Sequence, residues 1–365
     1  MRDLVVDGTR ISQDGDDCYV IAEVGHNHQG SLIKAIDHLR AAKDAGADAV
    51  KLQKRSNATL YTRAMYDQYY DHENSFGRTY GEHREALELS DKDWFELMHQ
   101  AKEIGITLFG TAFDEPSADL LAEIGSPAFK IASADLVNTP LLRQVASYGK
   151  PVFLSTGGGT MDDIERAVDA ILPINEQLVV MQCTAAYPAE AEDLNLRVVS
   201  SLRERFPDVV IGLSDHQSGY SMSLLGYMLG ARVIEKHFTL NHSWKGTDHA
   251  FSLMPDGMRR LVRDLRRAPL ALGDGVKRPL PSEESAIRKM GKNLVASRDL
   301  PKGHVLVPGD LDAKSPADGG LPPYELEQLL GRRLSRSLSF EQAVTFEDLV
   351  PVEQPLAAPG SAADR

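Results

Sequence analysis

Cysteine is nearly absent, with 2 in 365 residues. Two thiols cannot build a disulfide framework or a four-thiolate zinc site, and they fit a reducing compartment. Basic residues are the second shortage. Lys and Arg total 40 against 53 Asp and Glu, a formal net charge of −13. That argues against a nucleic-acid surface, which needs a basic stripe. It leaves small anionic substrates open, because a few lysines in a cleft override the global field. Long apolar runs are missing too: none approaches the ~20 residues of a membrane helix. The opening MRDLVVDGTR lacks the apolar core of a secretory signal. The expectation is a cytoplasmic protein with neither a membrane nor a nucleic-acid partner. With 42% hydrophobic and 25% charged residues the mix is that of a globular protein. At ~150 residues per domain, the length allows two or three domains.

What is present is alternation. Short apolar runs at 19–24, 49–53, 106–110, 128–131, 151–155, 178–184, 209–213 and 231–237 alternate with amphipathic segments. These segments are 32–45, 92–104, 116–124, 140–147, 161–172, 196–205, 220–229 and 257–270. Apolar runs separated by single amphipathic helices specify a parallel sheet covered on both faces. Eight such units in ~250 residues fit an α/β protein with a (β/α)8 TIM barrel. An open doubly wound sheet uses the same local code, but no GxGxxG follows the first strand. GADAVK and GARVIEK repeat one helix-stop-then-strand junction. The barrel is expected over 1–273. A linker rich in charge, Pro and Gly covers 274–292. A small β-rich domain covers 293–354, and a disordered tail 355–365. Within the small domain, SRDLPKGHVLVPGDL at 297–311 and SRSLSFEQAVTFEDL at 335–349 align without gaps and share Ser, Arg, Leu, Asp and Leu. They predict a duplicated unit with pseudo-twofold symmetry, marginal alone at under ~65 residues.

A barrel carries its active site at the C-terminal ends of its strands. There the sequence supplies Glu23 with Asn27 and His28, Lys51 and Gln53, and Thr111. It adds Lys130 with Ser133 and Asp135, Ser155 with Thr156, and Thr184 with Tyr187. Ser214, Asp215 and His216 end the seventh strand, and Glu235, Lys236 and His237 the eighth. Lys51 and Lys130 interrupt apolar strands, which is costly unless the charge is paired or near the mouth. With Thr111, Ser133, Ser155 and Ser214 they would cradle a compact anion bearing phosphate and carboxylate. Alternatively one lysine pairs structurally with Glu23 or Glu235. His216 and His237 end neighbouring strands and could hold a divalent metal with positions left for water and substrate. Two hydrogen-bonded histidines, or one base and one structural residue, would give the same pattern. Cys183 has no CxxC partner and reads as a packed thiol. Gly157–Gly159 is followed by no Lys-Ser/Thr, so it is a turn and not a Walker loop. Such a barrel admits a lysine Schiff-base aldolase or a metal-assisted condensation of phosphoenolpyruvate with an aldehyde.

IAEVGHNHQGS, KLQK, FKIAS, LSTGG, QCTAAYP, GLSDH, EKHFTL and WKGTDHAFSL occur in that order. Together they resemble the N-acetylneuraminate (sialic acid) synthase family, from about Ile21 to Leu349. The duplicated C-terminal unit resembles that family's antifreeze-like (SAF) domain. RTYGEHR at 78–84, with WKGTDH, looks closest to the branch that includes the animal sialic acid 9-phosphate synthases. The resemblance implies condensation of phosphoenolpyruvate with an N-acylmannosamine-type aldose, giving a nine-carbon 2-keto-3-deoxy acid and phosphate. It implies a divalent metal, Mn2+ or Mg2+, on His216 and His237. Lys51, Thr111, Lys130, Ser133, Ser155 and Ser214 would hold phosphoenolpyruvate, with Thr184 nearby. Gln53, Asp135, Tyr187 and Asp248 would meet the sugar, and Glu23 would orient or activate water. It also implies a domain-swapped homodimer, with Lys314 or Arg298 of the small domain reaching the partner's site. Three positions depart from the family pattern. Ala185 stands where many relatives have Asn or Ser, Asp135 replaces the more usual Glu, and Ser315 stands where bacterial sialic acid synthases carry an Arg. They leave open a legionaminic, pseudaminic or deaminated sialic acid product, and a Schiff-base lyase remains the alternative from another class.

Overall fold

In the computed structural model, which describes residues 3–351, eight parallel strands close into a barrel. The strands are Tyr19–Gly25, Ala49–Lys54, Thr107–Ala112, Phe129–Ile131, Val152–Ser155, Leu178–Cys183, Val210–Asp215 and Val233–His237. The eighth pairs with the first, with His237 opposite Glu23, so the sheet has no edge. An open sheet is thereby excluded. The eight expected helices follow their spans within a residue or two, and three short ones, Asn57–Leu60, Arg63–Tyr66 and Tyr80–Leu87, were not anticipated. The first, Leu32–Ala45, shows why the local code works. Ser31 caps it by accepting from the Lys34 N–H, and Gly46 ends it in the left-handed region at φ 89°. Gly230 repeats that turn at φ 110° before the eighth strand, and Ala47 and Ala231 each return an N–H to the helix behind them. The echo between GADAVK and GARVIEK is therefore a repeated helix C-cap.

Side chains alternate across each strand. One set, including Val20, Val50, Leu108 and Ile211, packs outward against helix residues such as Leu39, Trp94 and Leu141. The other points inward, where Tyr19, Ile21, Phe109, Phe153, Val179, Met181 and Val233 fill the barrel. Two short strands, Leu4–Val6 and Thr9–Ile11, pair antiparallel. Their Leu4, Val6 and Ile11 join that inner cluster. This hairpin plugs the end where the strands begin and was not anticipated, because three-residue strands are too short for a periodic signal. One inward step above the apolar layer the filling turns polar, with Glu23, Lys51, Thr111, Lys130, Ser155, Ser214 and Glu235 all buried.

The chain divides into two compact units after Gly273. The stretch expected to be a linker carries a helix, Glu284–Met290, with Glu284 in its first turn and Arg288 and Lys289 in its last, as the helix dipole favours. In the second unit the duplication is visible bond by bond. Ser297 N–H donates to the Asp310 carbonyl at 2.9 Å, and Ser335 N–H to that of Asp348 at 2.8 Å. Leu300 and Leu338 exchange backbone bonds across the pseudo-twofold axis at 2.8 and 2.9 Å. Arg298 pairs with Asp310 and Arg336 with Asp348. The predicted tail at 355–365 lies outside the described residues.

Candidate active site

A cleft of about 530 Å³ opens at the C-terminal end of the barrel, within the usual range for small-molecule sites. It gathers Glu23, Lys51, Gln53, Thr111, Lys130, Ser133, Ser155, Tyr187, Ser214, His216, His237 and Asp248. These come from every strand end, because a period of two in parallel strands brings the last inward residues to one level.

Two buried ion pairs form its floor. Lys51 Nζ lies 2.7 Å from Glu23 Oε2 and 3.7 Å from Glu235 Oε1, and donates to Thr111 Oγ1 at 2.7 Å. Lys130 Nζ donates to both Glu235 oxygens at 2.8 Å, and Ser214 donates to the same carboxylate at 3.1 Å. Both lysines are therefore paired, which the sequence alone had left as an alternative for one of them. Burial raises the Glu23 carboxyl above its ordinary range even with Lys51 beside it. Burial would raise Glu235 as well, but Lys130 and then Lys51 outweigh it and hold the carboxyl at about 2. The Lys130 ammonium is lowered by burial, only partly compensated by Glu235. Ser155 Oγ is buried with no hydrogen-bond partner, so the floor keeps an open donor.

Beside this floor the His216 and His237 rings approach to 5.2 Å between centroids. His216 Nδ1 faces the Thr184 carbonyl at 2.8 Å. A carbonyl only accepts, so Nδ1 carries the proton and Nε2 keeps its lone pair, the arrangement of a metal-binding imidazole with an oriented outer partner. His237 Nδ1 is buried without a hydrogen bond, 3.6 Å from Asp248 Oδ2. Burial lowers this histidine to about 4, so it is a neutral donor at pH 7. Among the described residues no cluster of three or more His, Cys, Asp or Glu side chains could hold an ion. A metal here would thus take two protein nitrogens and fill its remaining positions from water and substrate. With an unsatisfied buried nitrogen on one ring and a free Nε2 on the other, the donor set fits a divalent ion. The Tyr187 ring is tilted by 32° against that of His216 at 4.3 Å between centroids, and the residue is 54% exposed.

Two expected site residues of the barrel lie outside the cleft lining. Asp135 sits in the turn Ser133–Asp135 and accepts from Asn138 Nδ2 at 3.1 Å, outside the cleft lining. Thr184 Oγ1 donates to the Asp193 carbonyl at 3.1 Å; only its backbone oxygen serves the site, through His216. Lys314 belongs to the second unit, where it contacts Glu341 at 2.9 Å. Of the other strand-end residues, Asp215 and Lys236 pair with each other at 3.0 Å and Ser223 donates to Asp215, so both are spent on structure. Cys183 does line the cleft, 3.5 Å from the Ser133 hydroxyl. Gly157 approaches from below: its N–H donates to Ser133 Oγ at 2.9 Å, and a Cβ there would stand 2.8 Å from that oxygen.

Sequence reasoning missed the cationic rim. Arg55, Arg84 and Lys245 line the same cleft, with His26, Phe76 and His83. Arg84 comes from the helix Tyr80–Leu87, whose Thr79–Glu82 capping box was a legible start signal inside a stretch read only as polar. Arg55 is 7% exposed, lies 3.7 Å from the Phe113 ring centre, and donates to Gln53 Oε1 at 2.7 Å.

Comparison with known proteins places this geometry. The model of the NeuB family matches residues 38–277, and that of the SAF domain residues 293–350. The human N-acetylneuraminate-9-phosphate synthase is 38% identical over 333 residues, covering 91% of this chain and 92% of that protein. An N,N'-diacetyllegionaminic acid synthase of Legionella pneumophila is 36% identical over 338 residues, covering 91% and 94%. Among solved structures, the N-acetylneuraminic acid synthetase of Leptospira borgpetersenii, in complex with citrate, superposes with a TM-score of 0.67 at 30% identity, covering 78% of this chain and 95% of that one.

Proposed function

This chain belongs to the NeuB family and carries a SAF domain behind its barrel, and from that premise we propose that it condenses phosphoenolpyruvate with an N-acylmannosamine-type aldose. The products are inorganic phosphate and a nine-carbon 2-keto-3-deoxy acid, N-acetylneuraminate or its 9-phosphate. A legionaminic- or pseudaminic-type acid is the nearest alternative, because relatives with those names share the scaffold. The observation that carries the reading is the floor of the cleft. Two lysines, three hydroxyls and an unpartnered Ser155 oxygen converge beside two imidazoles.

Carbon 3 of phosphoenolpyruvate attacks the aldehyde carbon of the open-chain sugar, forming the new carbon–carbon bond and leaving an oxocarbenium at carbon 2. Water adds to carbon 2, the bond to the bridging phosphate oxygen breaks, and phosphate departs. Lys51 and Lys130 hold the anionic substrate and neutralise charge on the leaving phosphate. Each ammonium faces a carboxylate, Lys51 that of Glu23 and Lys130 that of Glu235, so both stand in an ion-binding floor. Glu23, raised by burial and anchored by Gln53 Nε2 at 2.8 Å, is placed to take a proton from the attacking water. His216 and His237 would hold a divalent ion, Mn2+ or Mg2+, which supplies Lewis-acid polarisation of the aldehyde when bound. Positioning and electrostatic preorganisation then carry most of the rate. The family-implied domain-swapped homodimer, with Lys314 serving the partner's cleft, belongs to the same reading.

The decisive test is phosphate release from phosphoenolpyruvate with Mn2+ across a panel of aldoses: N-acetylmannosamine, its 6-phosphate, mannose and diacetamido-trideoxy hexoses. Release that needs both the metal and one of these sugars is the expected result. Full activity after chelation would remove the two-histidine metal role, and borohydride trapping of an adduct on Lys51 or Lys130 would favour the lyase.

A further inference from the structure

We propose that the buried Asp215–Lys236 ion pair, which lies outside the cleft lining, is a positioning device for the two imidazoles of the cleft, His216 and His237. The inference rests on the condensing-synthase reading and on the metal role it gives those histidines. The period of two along the strands shows what the pair replaces. In the seventh and eighth strands Ile211, Leu213 and Ile234 belong to the outward layer that packs against the helices, and Leu213 stands opposite Ile234 in register. The next outward positions, Asp215 and Lys236, are register partners as well. Their side chains are 1% and 0% exposed. Packing of strands under helices asks only for another aliphatic pair at that level. Exchanging a buried ion pair for apolar side chains of similar volume is often neutral or stabilising, so stability does not account for the charges.

The hydrogen bonds do account for them. Asp215 Oδ1 accepts from the Gln217 N–H at 2.9 Å. Lys236 Nζ donates to the Gln217 carbonyl and lies 3.0 Å from Asp215 Oδ2. That carboxylate oxygen also accepts from Ser223 Oγ at 2.6 Å, in the helix Ser221–Met228. The residues on both sides of His216 are thus held, to the eighth strand and to the helix that follows. The His216 ring then meets the Thr184 carbonyl at 2.8 Å. His237 follows Lys236 directly, and its Nδ1 has no hydrogen bond. Its ring takes its place from the backbone that carries it and from packing against Phe251, 5.0 Å between centroids. One ion pair therefore fixes both ring-bearing backbones, whose ring centres stand 5.2 Å apart. Aliphatic side chains would fill the same space but could not hold a peptide N–H and carbonyl, because dispersion is not directional and hydrogen bonds are. Metal-binding imidazoles depend on such outer partners for their orientation.

The test separates metal affinity from stability. Asp215→Asn combined with Lys236→Met keeps an acceptor for the Gln217 N–H and the volume of both side chains, while removing both charges. Calorimetric titration of the metal-free full chain with Mn2+, without substrate, should show binding weakened by about 10- to 100-fold, the range for loss of an outer partner. Its melting temperature without metal should stay within about 4 °C of the wild type. Ser223→Ala leaves both charges in place and should weaken Mn2+ by about 3- to 10-fold. The control is Asp48→Asn with Arg266→Met. That pair, 2.5 Å apart, precedes the second strand at the opposite end of the barrel, and its loss should leave Mn2+ affinity within about 2-fold. Unchanged affinity in the Asp215/Lys236 variant, whatever its melting temperature, overturns the inference, because the pair is then only structural. Equal weakening in the control overturns it too, since any loosened barrel would then bind poorly. If the double variant does not fold, Ser223→Ala decides: weaker binding supports the inference and unchanged binding overturns it. A wild type that takes up no Mn2+ removes the metal role of the histidines and the inference with it, a result distinct from a wild type and a variant that bind alike.

Discussion

Replacing Lys130 by methionine removes the cation that Glu235 leans on most. Both side chains are almost fully buried, at 3% and 4% exposure. The Lys130 ammonium reaches both carboxylate oxygens at 2.8 Å. After substitution Glu235 keeps only Lys51 at 3.7 Å and the Ser214 hydroxyl at 3.1 Å. Two routes give the size of the loss. Breaking one side of a buried ion pair costs about 3–5 kcal/mol. Independently, Glu235 is held at about 2 against an ordinary 4.5, which converts to roughly 3 kcal/mol at neutral pH, of which Lys51 supplies a part. The expected destabilisation of the barrel is therefore about 2–3 kcal/mol, or roughly 4–12 °C in melting temperature for a unit of this size. The sign of its pH dependence follows. A depressed carboxyl contributes stability above its unfolded value and loses it as pH falls toward the folded one. The gap between wild type and Lys130→Met should therefore be largest at pH 7 and shrink between about pH 5 and pH 3. Denaturant titration at pH 7 and pH 4 reads both quantities. Adding Glu235→Leu should restore at least half of the lost stability, because an apolar pair replaces an orphaned charge. A loss below about 1 kcal/mol, a gap equal at both pH values, or simple additivity in the double variant would refute this account.

Other consequences are open to direct measurement. Gly157→Ala would set a Cβ 2.8 Å from Ser133 Oγ and 3.1 Å from the Ala185 N, so it should cost about 1–3 kcal/mol of stability and raise KM for phosphoenolpyruvate more than KM for the sugar. His216→Ala and His237→Ala should each weaken Mn2+ binding, measured by calorimetry, by at least about 10-fold, and loss of the Thr184 carbonyl's partner should not occur in His237→Ala. In the small domain, Asp310 accepts from Arg298 at 2.7 Å, His304 at 2.7 Å and the Val307 N–H at 2.8 Å. Burial would raise that carboxyl, yet these donors hold it below its ordinary range. Asp310→Asn should therefore increase amide exchange across 293–350 at pH 7, with a smaller effect near pH 3, where the wild-type domain is losing the same contribution.

Residues near in sequence set most of the architecture. Apolar runs of strand length, helices capped by residues such as Ser31 and Gly46, and the two copies of Ser-Arg-x-Leu are local facts, and the barrel and the duplicated small domain follow from them. The inward series Glu23, Lys51, Thr111, Lys130, Ser155, Ser214, Glu235 and His237 was also legible, because side chains alternate along a strand and the last inward one must face the mouth. Tertiary structure decided how these groups share charge. Lys130 took Glu235 and Lys51 took Glu23, a choice made by closure of the barrel across 105 residues in the first case. The rim behaved likewise. Arg84 arrives from a short capped helix in a polar stretch whose position over the cleft no periodicity reports. Asp135 and Thr184 stand at strand ends in the sequence, yet each turns to a nearby partner, Asn138 or the Asp193 carbonyl. Composition and period specify which face a residue occupies; which of several equally plausible polar partners it meets depends on distances of a few ångströms that only the folded chain supplies.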